Sequence, residues 1–258
     1  MNELIRILHN LNNYLQYVRE NKQLTIYREK PIWSEVPENV STGSFKSEEG
    51  EIVVREVQEE LIFENWKASE SLEILESRIN QCKKCTLSHS RNKFVFGSGN
   101  PNAEVVIVGE APGADEDLQG MPFVGKAGKL LTDILKAINF KREEVYICNI
   151  LKCRPPNNRN PLPEEIEKCE PYLIKQLELI KPKMILAAGA FAGQTLLKSK
   201  EPLNKLRGKF HNLKVGDILI KVLVTFHPAA LLRNPNWKYP TWEDVKLFRK
   251  EYDKIKNT

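Results

Sequence analysis

Apolar positions repeat in two rhythms along this chain, and the rhythm changes near residue 100. Before that point the spacing is helical. Leu4, Ile5, Leu8, Leu11, Leu15 and Val18 recur at three- and four-residue intervals, which predicts an amphipathic helix over 1–22. Pro31, Pro37, Gly43 and Gly50 punctuate a polar stretch and predict a linker over 28–51. Residues 52–80 return to helical spacing through Leu61, Trp66, Leu72, Leu75 and Ile79. Beyond residue 100, short continuous apolar runs alternate with amphipathic stretches. The runs predict strands over 104–108, 145–151, 184–188 and 218–225, and the stretches predict helices over 125–139, 163–180, 190–197 and 242–255. The helix at 163 opens with proline and two glutamates, residues that a helix N-terminus favours.

Strand–helix alternation of this kind predicts an α/β fold. The expected architecture is a three-layer α/β/α sandwich around a mostly parallel four-stranded sheet, with a helical N-terminal extension. Ligands of such sheets sit beyond the carboxyl ends of the strands. Those ends carry Gly109-Glu110, Asn149, Gly189 and Phe226-His227-Pro228. Two segments are expected, an acidic extension and linker over 1–70 and the main domain over 71–258.

Charge sharpens that division. Residues 1–70 hold 8 Lys/Arg against 13 Asp/Glu, whereas residues 71–258 hold 31 against 21. A basic domain suits a polyanion such as nucleic acid, although a lysine-rich surface alone would give the same count. The acidic front section carries no chemical motif and reads as a docking arm for a protein partner or as a cap on the main domain. No apolar run approaches the roughly 18 residues of a membrane span. The start, Met1 to Arg6, lacks the pattern of a signal peptide. A monomeric cytoplasmic protein with reduced thiols is therefore expected.

The chain has five cysteines. Cys82 and Cys85 form a C-x2-C pair, and Cys153 and Cys169 lie far downstream. Four thiolates gathered from distant segments match a [4Fe–4S] cluster or a tetrathiolate zinc site. Cys148, inside an apolar run, reads as a buried side chain. Gly120 to Lys126 has the G-x4-G-K spacing of a phosphate loop, but Ala127 stands where a magnesium-binding Ser or Thr is needed, and no strand leads directly into it.

Gly109-Glu110-Ala111-Pro112-Gly113, the Pro122-Phe123-Val124-Gly125 loop, Asn149 with Lys152-Cys153-Arg154-Pro155-Pro156, and His227-Pro228 followed by Leu231-Leu232 occur in this order beside the four cysteines. Over about residues 75–255 the combination resembles the iron–sulfur (family 4) uracil-DNA glycosylases; the first 70 residues fall outside that pattern. The resemblance implies a base-excision-repair hydrolase that flips uracil out of DNA, breaks its N-glycosidic bond, releases free uracil and leaves an abasic site. It implies a structural [4Fe–4S] cluster on Cys82, Cys85, Cys153 and Cys169. Uracil would meet Glu110, Ala111, Pro112, Glu116, Phe123, Asn149 and His227, with His227, Glu110 and Asn149 catalytic.

The chemistry asks for those residue types. Phe123 offers a stacking surface; by itself it reads equally as core. The Asn149 amide has both a donor and an acceptor for O4 and N3–H of uracil; otherwise it caps a strand end. His227 can donate to O2 as negative charge develops there. Glu110 would lie beside the base and its water, and Glu116 near C5, where it opposes the thymine methyl; alone, the acidic run 115–117 is a helix start. Leu231 and Leu232 could wedge into the base stack or pack beneath a loop. Arg233 and Arg154, with Lys152 and Arg159, could reach phosphates. An alternative is a non-hydrolytic or covalent uracil-DNA-binding relative that uses His211, although the basic insertion marking such relatives is not apparent. A non-catalytic nucleic-acid-binding module built on the metal is a further alternative.

Overall fold

A computed structural model of the chain describes residues 65–257, all within the compact unit Arg55–Thr258. The helix expected over 1–22, the linker over 28–51 and the start of the stretch 52–80 lie outside the described residues. In chain order the elements are α1 (Leu72–Ile79), β1 (Ser98–Gly99), β2 (Val105–Gly109), α2 (Ala114–Gln119), α3 (Lys126–Ala137), β3 (Tyr146–Asn149), α4 (Pro163–Ile180), β4 (Met184–Ala188), α5 (Ala190–Leu196), α6 (Leu203–Leu206), β5 (Phe210–Val215), β6 (Ile218–Thr225), α7 (Pro228–Arg233) and α8 (Lys238–Lys256).

The strands form one sheet in the order β1-β3-β2-β4-β6-β5. Its inner four strands are parallel. They are the four expected runs, and β2, β3 and β4 are buried at every position, as both faces of a covered parallel sheet require. The expected count of four strands is nevertheless corrected to six, because an antiparallel strand closes each edge. β1 has only two residues, too few for any periodicity. β5 alternates exposed Asn212 and Lys214 with half-buried neighbours, which hides it from a search for apolar runs. The legible signal was Gly216-Asp217 between Val215 and Ile218, a hairpin dipeptide with Gly216 at φ 55°.

The strands' alternation builds two cores. Val106, Val108, Ile185, Ala187, Val222 and Val224 face Leu75, Ile79, Tyr172, Leu173, Leu177 and Leu196, so α1, α4 and α5 cover one face. Val105, Ile107, Met184, Leu186 and Leu223 face Leu131, Leu135, Val245 and Phe248, so α3 and α8 cover the other. This is the predicted three-layer arrangement. Trp66 joins the first core edge-on to Tyr172, with ring centroids 4.8 Å apart. Cys148 is buried, as expected. The last helix begins at Lys238, ahead of the predicted 242, because Pro240 lies in its first turn, where no backbone N–H is needed. Among the described residues no helix is long and apolar enough to cross a membrane.

Strand register brings the carboxyl ends together. Gly109 lies opposite Asn149, and Ala188 opposite Thr225. The inner strands thus end level, and the residues just past them meet along one edge.

Candidate active site

A cleft of about 310 Å³ opens at that edge. All seven residues expected around uracil line it: Glu110, Ala111, Pro112, Glu116, Phe123, Asn149 and His227. Arg233 stands at its rim with the loop 155–160.

Asn149 ends β3 and is 2% exposed. Its Oδ1 is buried and accepts no hydrogen bond from any other described protein group. An acceptor left in that state costs about 1–3 kcal/mol, so its retention at a cleft wall points to a donor that arrives from outside. The neighbouring Gly109 makes this wall: a Cβ there would lie 2.3 Å from Asn149 Oδ1 and 2.7 Å from the Phe123 ring. Only a residue without a side chain lets amide and ring approach so closely.

Phe123 is buried yet has φ 54°, a conformation costing a non-glycine residue about 1–3 kcal/mol. Its surroundings hold it there. Arg142 Nη2 donates to the carbonyls of Pro122 (2.8 Å) and Phe123 (3.0 Å). Glu116 Oε1 accepts from the N–H groups of Val124 (2.9 Å) and Gly125 (3.0 Å), and its Oε2 accepts from Gly113 (3.1 Å). Glu116 therefore reaches the cleft as a fixed carboxylate that also shapes the aromatic loop. Beneath the loop, a Cβ on Gly128 would fall 1.8 Å from the Phe123 carbonyl oxygen. Gly→Ala inside a helix ordinarily stabilises by about 1 kcal/mol. Here Gly128→Ala is expected to destabilise by about 1–3 kcal/mol through overpacking, read as a lower urea midpoint.

His227 caps α7, and its Nδ1 accepts from the Ala229 N–H at 3.1 Å. That bond leaves the proton of the neutral ring on Nε2. Burial, helped by the Arg233 charge and opposed by Glu116, lowers its pKa to about 4, so the ring is neutral near pH 7. It stacks on Phe123 at 5.4 Å and 29°. The end of β6 is anchored by Asp244, which accepts from Thr225 Oγ1 (2.7 Å) and from Arg207 (3.0 and 2.9 Å). Burial raises the Glu110 carboxyl above its ordinary pKa, with Arg233 opposing.

Several expected nucleic-acid contacts are placed differently. Leu231 is 2% exposed and belongs inside the fold, which corrects its assignment as a wedge; Leu232 beside it is 48% exposed. Lys152 is completely buried and donates to the Asn149 carbonyl at 2.9 Å and to Gln176 Oε1, so it cannot meet a phosphate. Arg154 Nε donates to Asn158 Oδ1 at 2.8 Å. Arg159 lines the cleft while paired with buried Glu165. His211 lies on β5, its Nε2 2.8 Å from the Leu206 carbonyl, outside the residues lining the cleft. Sequence reasoning missed Arg142, Asn158 and Asn160. The consecutive asparagines 157 and 158, both left-handed at φ 54° and 53°, were the available turn signal.

Cys82, Cys85, Cys153 and Cys169 line a second, small cavity and are all unpaired thiols. Donors surround the sulfurs: Tyr172 Oη (3.3 Å) and the Lys84 N–H (3.5 Å) on Cys82, Arg91 Nη1 (3.2 Å) on Cys153, and the Lys152 N–H (3.3 Å) on Cys169. Burial pushes Cys153 to about 11 and Cys169 to about 12, so without a cation these groups stay protonated. Among the described residues no three His, Cys, Asp or Glu side chains converge tightly enough for one metal ion. Just past this cavity in the chain, the Asn92 N–H donates to Asp117 of α2 at 2.9 Å, joining the cysteine segment to the helix that carries Glu116.

Residues 96–246 match the family model of the uracil DNA glycosylase superfamily, the class that this sheet and its strand-end cleft define. The type-4 uracil-DNA glycosylase of Archaeoglobus fulgidus is 46% identical over 181 residues, covering 69% of this chain and 91% of the relative. That of Thermotoga maritima is 46% identical over 166 residues, covering 64% and 85%. A type-5 uracil-DNA glycosylase of Pyrobaculum aerophilum is 32% identical over 149 residues, covering 52% and 64%. The chain belongs to the type-4 uracil-DNA glycosylases.

Proposed function

We propose that this protein hydrolyses the N-glycosidic bond of uracil flipped out of DNA, in base excision repair. The observation carrying this reading is the buried, unpartnered Asn149 Oδ1 in a cleft whose other walls are an aromatic ring and a neutral imidazole. An extruded base stacks on Phe123. Asn149 Oδ1 accepts from N3–H, and its amide nitrogen donates to O4. Cytosine offers the reverse polarity at both positions, a mismatch costing about 1–3 kcal/mol. The Glu116 carboxylate, held by three backbone N–H groups, cannot retreat from a methyl on C5.

Bond cleavage is achieved by the same groups. The C1′–N1 bond breaks, and its electron pair departs with uracil, leaving charge on O2 and an oxocarbenium-like sugar. His227 Nε2–H donates to O2 without having to lose a proton. Water adds to C1′, and its proton goes to Glu110, whose raised pKa suits that task. Arg154, Arg233 and exposed Leu232 are assigned to the DNA strand. Incubation with an oligonucleotide containing one uracil, followed by hot alkali, is expected to give cleavage at that position and none at cytosine or thymine. An uncut uracil strand would overturn the reading.

The four cysteines fit a [4Fe–4S] cluster. The N–H and O–H donors and the Arg91 guanidinium suit thiolates that carry net negative charge. When bound, the cluster supplies a cross-link between the segments around Cys82 and Cys153 and no redox step, because hydrolysis transfers no electrons. Purified protein is expected to be brown, with iron and acid-labile sulfide in equal amounts. A colourless, zinc-loaded, active protein would contradict the assignment.

A further inference from the structure

Beyond His227 the surface continues along the junction between α7 and α8. Arg233 reaches the cleft rim. The turn Pro235–Trp237 comes next, and there Trp237 is 39% exposed. Scattered exposed apolar side chains are ordinary and prove nothing singly. Trp237 differs in being fixed. Its indole lies flat on Phe226, the residue before His227, with centroids 5.0 Å apart and planes 16° apart. The Arg207 guanidinium lies 5.4 Å from the Phe226 ring and is clamped in turn by Asp244. The Trp237 carbonyl accepts from Thr241 Oγ1 at 2.7 Å, and the Asn234 side chain closes the turn by accepting from the Asn236 N–H at 3.2 Å. The stack therefore ends in a rigid, solvent-facing indole. Exposed Arg233 and Lys238 flank it in the chain.

Extracting one nucleotide deprives its neighbours of a stacking partner. A flat aromatic held at a constant position from the extraction site replaces that partner at little entropic cost, whatever the neighbour's identity. Cationic side chains beside it suit the strand's phosphates. We propose that Trp237 is a stacking platform for the unpaired base next to the extracted uracil, on the same strand. This inference rests on the reading of the cleft as a uracil pocket. In duplex DNA the neighbour stays paired with the opposite strand, so the platform acts chiefly on single-stranded substrate and biases the enzyme toward it.

Binding separates the two readings, because it needs no catalysis. The probe is a fluorescein-labelled single strand bearing a tetrahydrofuran abasic site, with intact or abasic flanking positions, titrated by anisotropy at fixed salt. Trp237→Ala and Trp237→Gln are each expected to bind the intact-flank strand about 5- to 150-fold more weakly, the range expected from losing one stacked base. Trp237→Phe is expected to retain most of the affinity. None of the three should change binding to the strand with abasic flanks. In wild-type complexes 2-aminopurine on one side of the site should be quenched, and Trp237→Ala should restore its fluorescence. Equal affinity of wild type and both non-aromatic variants for intact flanks, or equal losses on abasic flanks, would overturn the platform. Wild-type protein that shows the flank dependence but releases no uracil would overturn the cleft reading and leave the platform standing.

Discussion

Replacing His227 by alanine lowers the single-turnover rate of uracil release by about 10²- to 10³-fold, the loss expected for one preorganised donor at a developing anion. Substrate affinity changes little, since the Nε2–H bond strengthens mainly as charge moves onto O2. The tautomer makes the effect specific. With Nδ1 committed to the Ala229 N–H, only Nε2 can donate, and burial keeps the ring uncharged. The same geometry sets a stability signature. His227 titrates at about 4 when folded, below its ordinary 6.5. Its contribution is present above pH 6.5 and is lost as pH falls toward 4, because the unfolded chain takes up the proton first. Urea melts between pH 7 and 4 should fall more steeply for wild type than for His227→Ala.

Asn149→Ala has an unusual expected profile, with activity falling while stability does not. Two buried hydrogen bonds to the base edge, at about 1.5 kcal/mol each, correspond to a loss of about 10²-fold. In the free enzyme Oδ1 has no partner within the protein, so alanine removes an acceptor without breaking an internal hydrogen bond. The thermal midpoint of the variant should therefore be no lower than that of wild type. Free uracil should raise the wild-type midpoint by linkage and leave that of Asn149→Ala unmoved. A variant that loses several degrees and still responds to uracil would show that this amide caps the strand and does not read the base.

The inner sheet was legible because parallel strands bury both faces and leave continuous apolar runs, as in β2. The long helix α4 was equally plain from its proline start and periodicity. Strand ends then located Asn149 and His227. The edges were not legible as apolar runs: β1 is too short for a pattern, and β5 exposes Asn212 and Lys214 between half-buried or buried neighbours. The leucine pair 231–232 shows a further limit, since identical neighbours on a six-residue helix face opposite environments, one core and one solvent. Lys152 shows another. A lysine in a basic motif reads as a phosphate ligand, yet here the fold closes over it and uses its ammonium to hold the Asn149 carbonyl. The role of Glu116 in pinning the Phe123 loop was hidden because it depends on backbone N–H groups, which every sequence has.

The most direct test is chromatographic measurement of free uracil released from a single-uracil oligonucleotide by intact, metal-loaded protein. Wild type should liberate one uracil per strand and leave cytosine in place, with Asn149→Ala and His227→Ala both markedly slower at unchanged visible absorbance. Folded, metal-loaded wild type that liberates no uracil, or variants that match its rate, would contradict the assignment of this cleft.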